Sequence, residues 1–235
     1  MTKAKAICRV YEQKAVRRVT GEAIRPGGWA LTRRALSLAA LPSRARVLDV
    51  GCGVGATVAL CRAEFDLDAV GLDLSAVLLA EGRPRPLLQA TALHLPFAAG
   101  AFESVLAECS LSLVADWDRA LAEVHRVLRP GGLFIASDIY AASQDHAAPA
   151  PARLHCCLGG ARSQHQFEAH LDAHGLTLLH WEDHTPALKQ FAARLIWEHG
   201  SLADFWACAG ATTRDRSTFP ARPGYFLALA RRGKD

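Results

Sequence analysis

The chain has 235 residues, 51% of them apolar and 21% charged, enough to bury the core of one moderately large domain. No apolar run approaches the ~20 residues that cross a bilayer, and the first thirty residues hold no continuous apolar stretch leading to a cleavage site, so neither a membrane span nor a secretory signal is expected. Seven cysteines, an odd number, fit free thiols in a reducing cytoplasm better than a disulfide framework.

Charge is unevenly spread. Met1 to Arg46 holds eleven Lys or Arg against Glu12 and Glu22, a net +9 in a chain whose total is +4, which leaves −5 for the remainder. A basic arm raises nucleic acid as a partner. This arm, however, contains YEQKAVRRV, the turn RPGG (Arg25 to Gly28) and WALTRRALSLAAL, in which Leu31, Ala35, Leu38 and Leu41 recur near helical spacing. Residues 1–43 therefore read as a helical cap docked on a sheet, with Tyr11, Arg17 or Trp29 reaching a ligand, or as a purely structural brace. Nucleic acid is not the expected partner.

Next comes VLDVGCGVGAT, Val47 to Thr57. Val47, Leu48 and Val50 form a short apolar strand, Asp49 sets a carboxylate beside its end, and Gly51, Gly53 and Gly55 remove the Cβ atoms that keep a backbone from a ligand. Gly51, Gly53 and Ala56 also satisfy the G-x-G-x-x-G/A pattern of dinucleotide-binding domains, so the turn alone leaves the nucleotide open. A helix follows to about Glu64. A second strand ends at Asp73, where a carboxylate can receive both hydroxyls of a ribose; Ser75 is the better N-cap for a helix from Ser75 to Glu81. A third strand spans Leu87 to Ala90 and a fourth Ser104 to Ala107. Asp116 to Leu128 is an amphipathic helix with Ala120, Leu121, Val124, Val127 and Leu128 on one face, ended by Pro130-Gly131-Gly132. Leu133 to Ser137 is the next strand.

Beyond it, Ala141 to Pro151 reads as a loop near the carboxyl ends of the strands, where ligands bind in open α/β sheets. A helix from Ser163 to His174 stops at Gly175 and leads into a strand, Leu176 to Glu182. Residues 185–222 carry one or two amphipathic helices broken at Gly200, with Phe191, Leu195, Ile196, Trp197, Leu202, Phe205 and Trp206 as the apolar set. That surface needs covering, as an active-site lid or in a homodimer interface. The last strand is Tyr225 to Ala230. Alternating strands and helices give an α/β fold with a doubly wound, mostly parallel sheet.

Four motifs in order, the glycine turn, Asp73 in AVGLDLS, ATALHLPF (Ala90 to Phe97) and RVLRPGG (Arg126 to Gly132), make residues 44–138 resemble the class I S-adenosylmethionine-dependent methyltransferases, in the branch of quinone-biosynthesis and arsenite methyltransferases. The resemblance implies a seven-stranded Rossmann-like sheet whose last two strands are antiparallel neighbours. It divides the chain into the cap (1–43), the cofactor-binding core (44–183), a helical insertion (184–223) and the last core strand (224–235), a single domain overall.

The resemblance also implies roles. Asp49 lies near the amino-acid end of S-adenosylmethionine, with Gly51, Cys52, Gly53 and Gly55 packed beneath it, and Asp73 with Leu74 takes the ribose. Thr91, Ala92 and Leu93 stand where the family sets an acidic side chain and a backbone N–H on adenine. Thr91 departs from the usual Asp, and loss of the charge-assisted bond weakens adenine recognition by ~1 kcal/mol. Glu108, Cys109 and Ser110 follow the fourth strand, facing the sulfonium and the acceptor. Cys52 and Cys109 read as small apolar fillers rather than nucleophiles.

The expected activity is in-line methyl transfer to a small-molecule acceptor. AECS stands where nucleic-acid amine methyltransferases carry an Asn/Asp-Pro-Pro-aromatic motif, which argues against such substrates. Cys156-Cys157-Leu158-Gly159-Gly160-Ala161 is similar to a Cys-x-Gly-Gly-Ala segment of arsenite methyltransferases, which makes Cys157 (or Cys156) with Cys208 a candidate thiolate pair for a metalloid. His155 is the candidate general base. Eight of the ten histidines lie between His146 and His199, but none shows a strong zinc spacing, and His170 with His174 reads as a solvated face rather than a metal site. The alternatives to the small-molecule enzyme are the metalloid enzyme and a domain that binds the cofactor without catalysis.

Overall fold

The computed structural model describes residues 11, 12, 17, 20–82, 84–142, 157–201 and 222–234. In chain order these form α1 (Gly28–Ala39), β1 (Arg46–Val50), α2 (Ala56–Glu64), β2 (Asp68–Asp73), α3 (Ala76–Glu81), β3 (Leu87–Gln89), β4 (Phe102–Glu108), α4 (Trp117–Val127), β5 (Leu128–Ala141), α5 (Gln164–Ala173), β6 (Leu176–Asp183), α6 (Thr185–His199) and β7 (Pro223–Arg232). Short 3-10 turns at Leu111–Leu113 and Cys157–Gly160 follow β4 and precede α5.

The seven strands form one sheet in the order β3-β2-β1-β4-β5-β7-β6, with β1 to β5 parallel and β7 antiparallel to both β5 and β6. Strand order reverses between β1 and β4, the switch point where the carboxyl ends leave a crevice. Two apolar layers cover the sheet. Leu48, Leu72, Val105 and Phe134 face Trp117, Leu121 and Val124 of α4 and Phe167 of α5. Their chain neighbours Val47, Leu106 and Ile135 face Leu31, Ala35 and Leu36 of α1 and Val58 and Cys61 of α2. Both faces are buried because the crossover helices sit on both, which is why β1 after Arg46 is apolar except for Asp49.

Side-chain caps set the starts of three of the six described helices, α3, α4 and α5. Ser75 Oγ accepts the Leu78 N–H at 3.2 Å, Asp116 Oδ1 accepts the Arg119 N–H at 2.9 Å, and Ser163 forms a reciprocal capping box with Gln166. β4, β5 and β7 run longer than the sequence expectation, β5 by the most. β5 begins at Leu128 rather than Leu133 and runs to Ala141 instead of Ser137, since β7 pairs with it over nine positions from Leu133 to Ala141 and Phe102 pairs with Leu128. The helical insertion is described as α6, which ends at Gly200 with φ 82; the expected apolar positions Leu202, Phe205 and Trp206 lie outside the described residues, as does most of the 141–151 loop.

Candidate functional site

A cavity of about 260 Å³ opens at the carboxyl ends of β1, β2 and β4, below Tyr11 and the segment Glu22–Arg25. Every described member of the expected cofactor set except Asp49 and Gly55 lines it: Gly51, Cys52, Gly53, Asp73, Leu74, Thr91, Ala92, Leu93, Glu108 and Cys109.

Two glycines make the floor. Gly51 has φ 80, and a Cβ there would collide with Ser110 Cβ, so only glycine lets the turn after β1 pass the turn after β4. Ser110 fastens that crossing by donating its hydroxyl to Val50 O at 2.7 Å. Gly53, φ 56, has nothing within 4 Å of where a Cβ would stand, so its bare backbone faces open space. Gly55, φ 76, is the N-cap of α2.

Asp73 joins the turn to the next crossover. Its carboxylate accepts the Gly53 N–H at 2.9 Å and the Ser75 N–H at 2.8 Å. Burial pushes the Asp73 carboxyl up from its ordinary value, and those two N–H groups oppose the rise. The Thr91 hydroxyl is engaged locally, accepting the Leu93 N–H at 3.2 Å, so it closes a turn of its own backbone.

At the other side of the cavity stands a buried ionic cluster. Glu108, last residue of β4, accepts Thr32 Oγ1 at 2.8 Å on one oxygen and Thr57 Oγ1 at 2.6 Å on the other, where Arg25 Nη2 pairs with it at 3.0 Å. Arg25 Nη2 also donates to Thr57 at 3.0 Å and to Thr32. Beneath the turn lies Asp49, 4% exposed. Burial first, then the negative charge of Glu108, push its carboxyl up to about 8, with Arg25 pulling the other way.

Arg25, Thr32 and Thr57 were missed by sequence reasoning. Arg25 stood out only as the first residue of the RPGG turn. The available signal was a lone arginine and two hydroxyls on otherwise apolar faces, which acquires meaning only once the fold brings Glu108 to them. The expected cap contacts divide: Tyr11 lines the cavity, Arg17 pairs with Glu81 at 2.6 Å, and Trp29 packs with Val54, Ala56 and Leu78 instead. Glu12 receives the Ser75 hydroxyl at 2.6 Å, which further ties this segment to α3.

The structure lends the metalloid reading no support at Cys157. This thiol is 8% exposed, packs in the apolar layer that Cys109 also touches, and does not line the cavity. Its hydrogen bond with Cys109 and its burial raise it well above the ordinary thiol range. Cys156, Cys208 and the candidate base His155 lie outside the described residues. Cys52 behaves as the expected filler: it packs against the Gly71 backbone, and burial drives its thiol far up. His170 and His174 both meet Asp118 Oδ1, at 3.0 and 3.1 Å, and no metal-holding group occurs among the described residues.

Comparison with known proteins agrees with this geometry. Residues 48–136 match the family described as methyltransferase domain. The chain is 34% identical over 152 residues to the methyltransferase GfsG of Streptomyces halstedii, an alignment covering 59% of this chain and 55% of that protein. It thus spans about half the length of the curated relatives it matches. Among solved structures, the [4+2]-cyclase SpnF superposes with a TM-score of 0.67 at 25% identity, covering 87% of this chain and 80% of that one. Phosphoethanolamine N-methyltransferase 2 of Haemonchus contortus, in complex with S-adenosyl-L-methionine, gives a TM-score of 0.77 at 17% identity over 99% of this chain and 60% of that one, a likeness of fold.

Proposed function

We propose that the chain, whose residues 48–136 match a methyltransferase domain, transfers a methyl group from S-adenosylmethionine to a small-molecule acceptor. The observation that carries this reading is the open backbone face of Gly53 beside the Asp73 carboxylate at the sheet's switch point. The residues present fit the cofactor. Asp73 keeps lone pairs for ribose hydroxyls, Leu74, 44% exposed, offers apolar surface beside it, and the Ala92 and Leu93 backbone borders the adenine end. Asp49 lies beneath the turn at the amino-acid end, 4% exposed and outside the cavity lining, so it acts on the ligand's α-ammonium through its charge rather than by a direct bond. Bound there, the cofactor would supply an electrophilic methyl on a positively charged sulfur.

The chain's own contribution is positioning. Holding acceptor and methyl about 3 Å apart supplies much of the barrier reduction in an in-line displacement. Ile24, Leu113, Val114 and Ala115 give the acceptor half of the cavity an apolar wall that excludes water, and the Arg25–Glu108 pair holds β4's end against α1 and α2 without adding net charge. Residues 1–43 act as the cap, tied down through Glu12, Arg17 and Arg25, and 184–223 as a cover or dimer surface. No helix among the described residues is long and apolar enough to cross a membrane. Cys52, Cys61, Cys109 and Cys157 are free thiols, which supports work in a reducing cytoplasm.

Calorimetry of S-adenosylhomocysteine binding tests the reading. Asp73→Ala should weaken it at least tenfold, the loss of charge-assisted bonds to the ribose; unchanged affinity would reject the ribose assignment. The likeness to a cyclase favours a second reading, a domain of this fold that performs no methyl transfer. It predicts binding with no methylated product when cell extracts are screened by mass spectrometry.

A further inference from the structure

Cys109 stands in a backbone conformation that cysteine seldom takes. Its φ is 54, in the left-handed region, and its N–H is fastened there to Ser137 O at 2.7 Å. Strain of this kind persists only where the surroundings enforce it, and it gathers at functional sites. The residue belongs to two environments at once. Cys109 is half-buried and lines the cavity, yet the Tyr225 hydroxyl of the core lies 3.6 Å from its sulfur and 3.4 Å from Ser137 Oγ. Its sulfur also shares a hydrogen bond with the Cys157 thiol.

Cys157 is fixed from the other side. It opens the turn Cys157–Gly160, which is pressed on Leu111–Leu113, just after Cys109, so closely that a Cβ at Gly160 would collide with Ser112 O. Cys157 further shares a hydrogen bond with Tyr11, the cap residue that lines the same cavity. Two thiols in mutual contact therefore stand between the cavity wall and the cap.

We infer that Cys109 and Cys157 are a reversible redox pair, closed to a disulfide by a low-molecular-weight disulfide such as glutathione disulfide, and that closure loosens the cap over the cavity. The Cys109 thiolate, reached through the cavity, attacks one sulfur of the oxidant and expels one thiolate. Cys157 then gives up its proton and attacks the Cys109 sulfur of the mixed disulfide, expelling the second. Two protein thiols are oxidised, one disulfide is reduced to two thiols, and the two protons end on them. Contact between the cysteines makes the second step intramolecular, which offsets the reluctance of a buried thiol to ionise. Closure removes the thiol that Tyr11 meets and draws the Cys109 sulfur off the cavity wall. A reducing cytoplasm holds the pair open and makes closure transient.

The test treats the full chain with glutathione disulfide, blocks the remaining thiols, and reads the digested protein by mass spectrometry. Peptides joined through Cys109 and Cys157, and parted by dithiothreitol, are expected in the wild type. The same link should form in Cys156→Ser, which removes the neighbouring cysteine as a competitor, whereas Cys157→Ser should stop with glutathione attached to Cys109. By calorimetry the closed form should bind S-adenosylhomocysteine about three- to tenfold more weakly than the reduced form, the worth of one hydrogen bond, and dithiothreitol should restore the affinity. Absence of the Cys109–Cys157 link, or a link through Cys156 in its place, overturns the pair. A link that leaves the affinity unchanged overturns its control of the cavity. The link is read without any ligand, so reduced protein that binds no S-adenosylhomocysteine yet still forms it would refute the cofactor reading and not the pair.

Discussion

The proposed role of Asp49 makes cofactor binding a proton-linked event. With its carboxyl pushed up to about 8 by burial and by Glu108, Asp49 is mostly neutral in the free protein at pH 7, whereas partnership with an α-ammonium requires the carboxylate. One unit below that value about one molecule in eleven is ionised, and ionising the rest costs about 1.4 kcal/mol, rising to about 2.7 kcal/mol at pH 6. The Kd for S-adenosylhomocysteine should therefore fall about tenfold per unit from pH 6 toward pH 8. The ligand's α-ammonium, beside a carboxylate rather than an amide, holds its proton well above pH 8, so affinity should rise with pH until Asp49 is ionised and then level off. Binding should release about one proton per ligand at pH 7, and the release should fade above about pH 8 as Asp49 ionises in the free protein. Calorimetry in buffers of different ionisation enthalpy reads both quantities. Asp49→Asn should abolish the release at pH 7 and flatten the acid limb. A pH-independent Kd between 6 and 8, or no buffer dependence at pH 7, would refute the reasoning.

Three further outcomes follow from the same geometry. Asp49's folded value lies above the unfolded one, so its contribution to stability is complete below about pH 4 and is lost as pH rises through about 8; thermal melts of the free protein should lose stability over that window, and Asp49→Asn should flatten the slope. Gly51→Ala forces a Cβ into Ser110 at φ 80 and should cost about 3 kcal/mol or more in urea melts; a loss under about 1 kcal/mol would mean the two turns can part freely. Thr91→Asp restores an acidic group at the adenine end and should tighten S-adenosylhomocysteine by several-fold, about 1 kcal/mol; weaker binding would show that the Thr91–Leu93 turn matters more than the charge.

The glycine turn was legible because its chemistry is local: an apolar strand, three glycines and a helix in eleven consecutive residues, Val47 to Thr57, leave few alternative structures. Asp73 was legible for the same reason, ending a strand one crossover later. Thr91's departure from an acidic residue could be read as a weakness, but its engagement with Leu93 N–H required coordinates. The Arg25–Glu108 cluster was not legible, since its members sit on three separate segments and a buried ion pair leaves no periodic trace. Cys157 misled for a related reason. A cysteine beside a Gly-Gly-Ala segment carries the same letters whether its thiol is open to a ligand or sealed among Ile139, Tyr225 and Leu227, and only packing separates the two. The length of β5 likewise came from its pairing with β7.

A crystal structure of the chain grown with S-adenosylhomocysteine tests the central claim most directly. The ligand should fill the cavity with ribose hydroxyls within about 3.2 Å of the Asp73 carboxylate and the amino-acid end beside Asp49. A ligand bound elsewhere, or a cavity closed to it by Tyr11 and residues 22–25, would contradict the account.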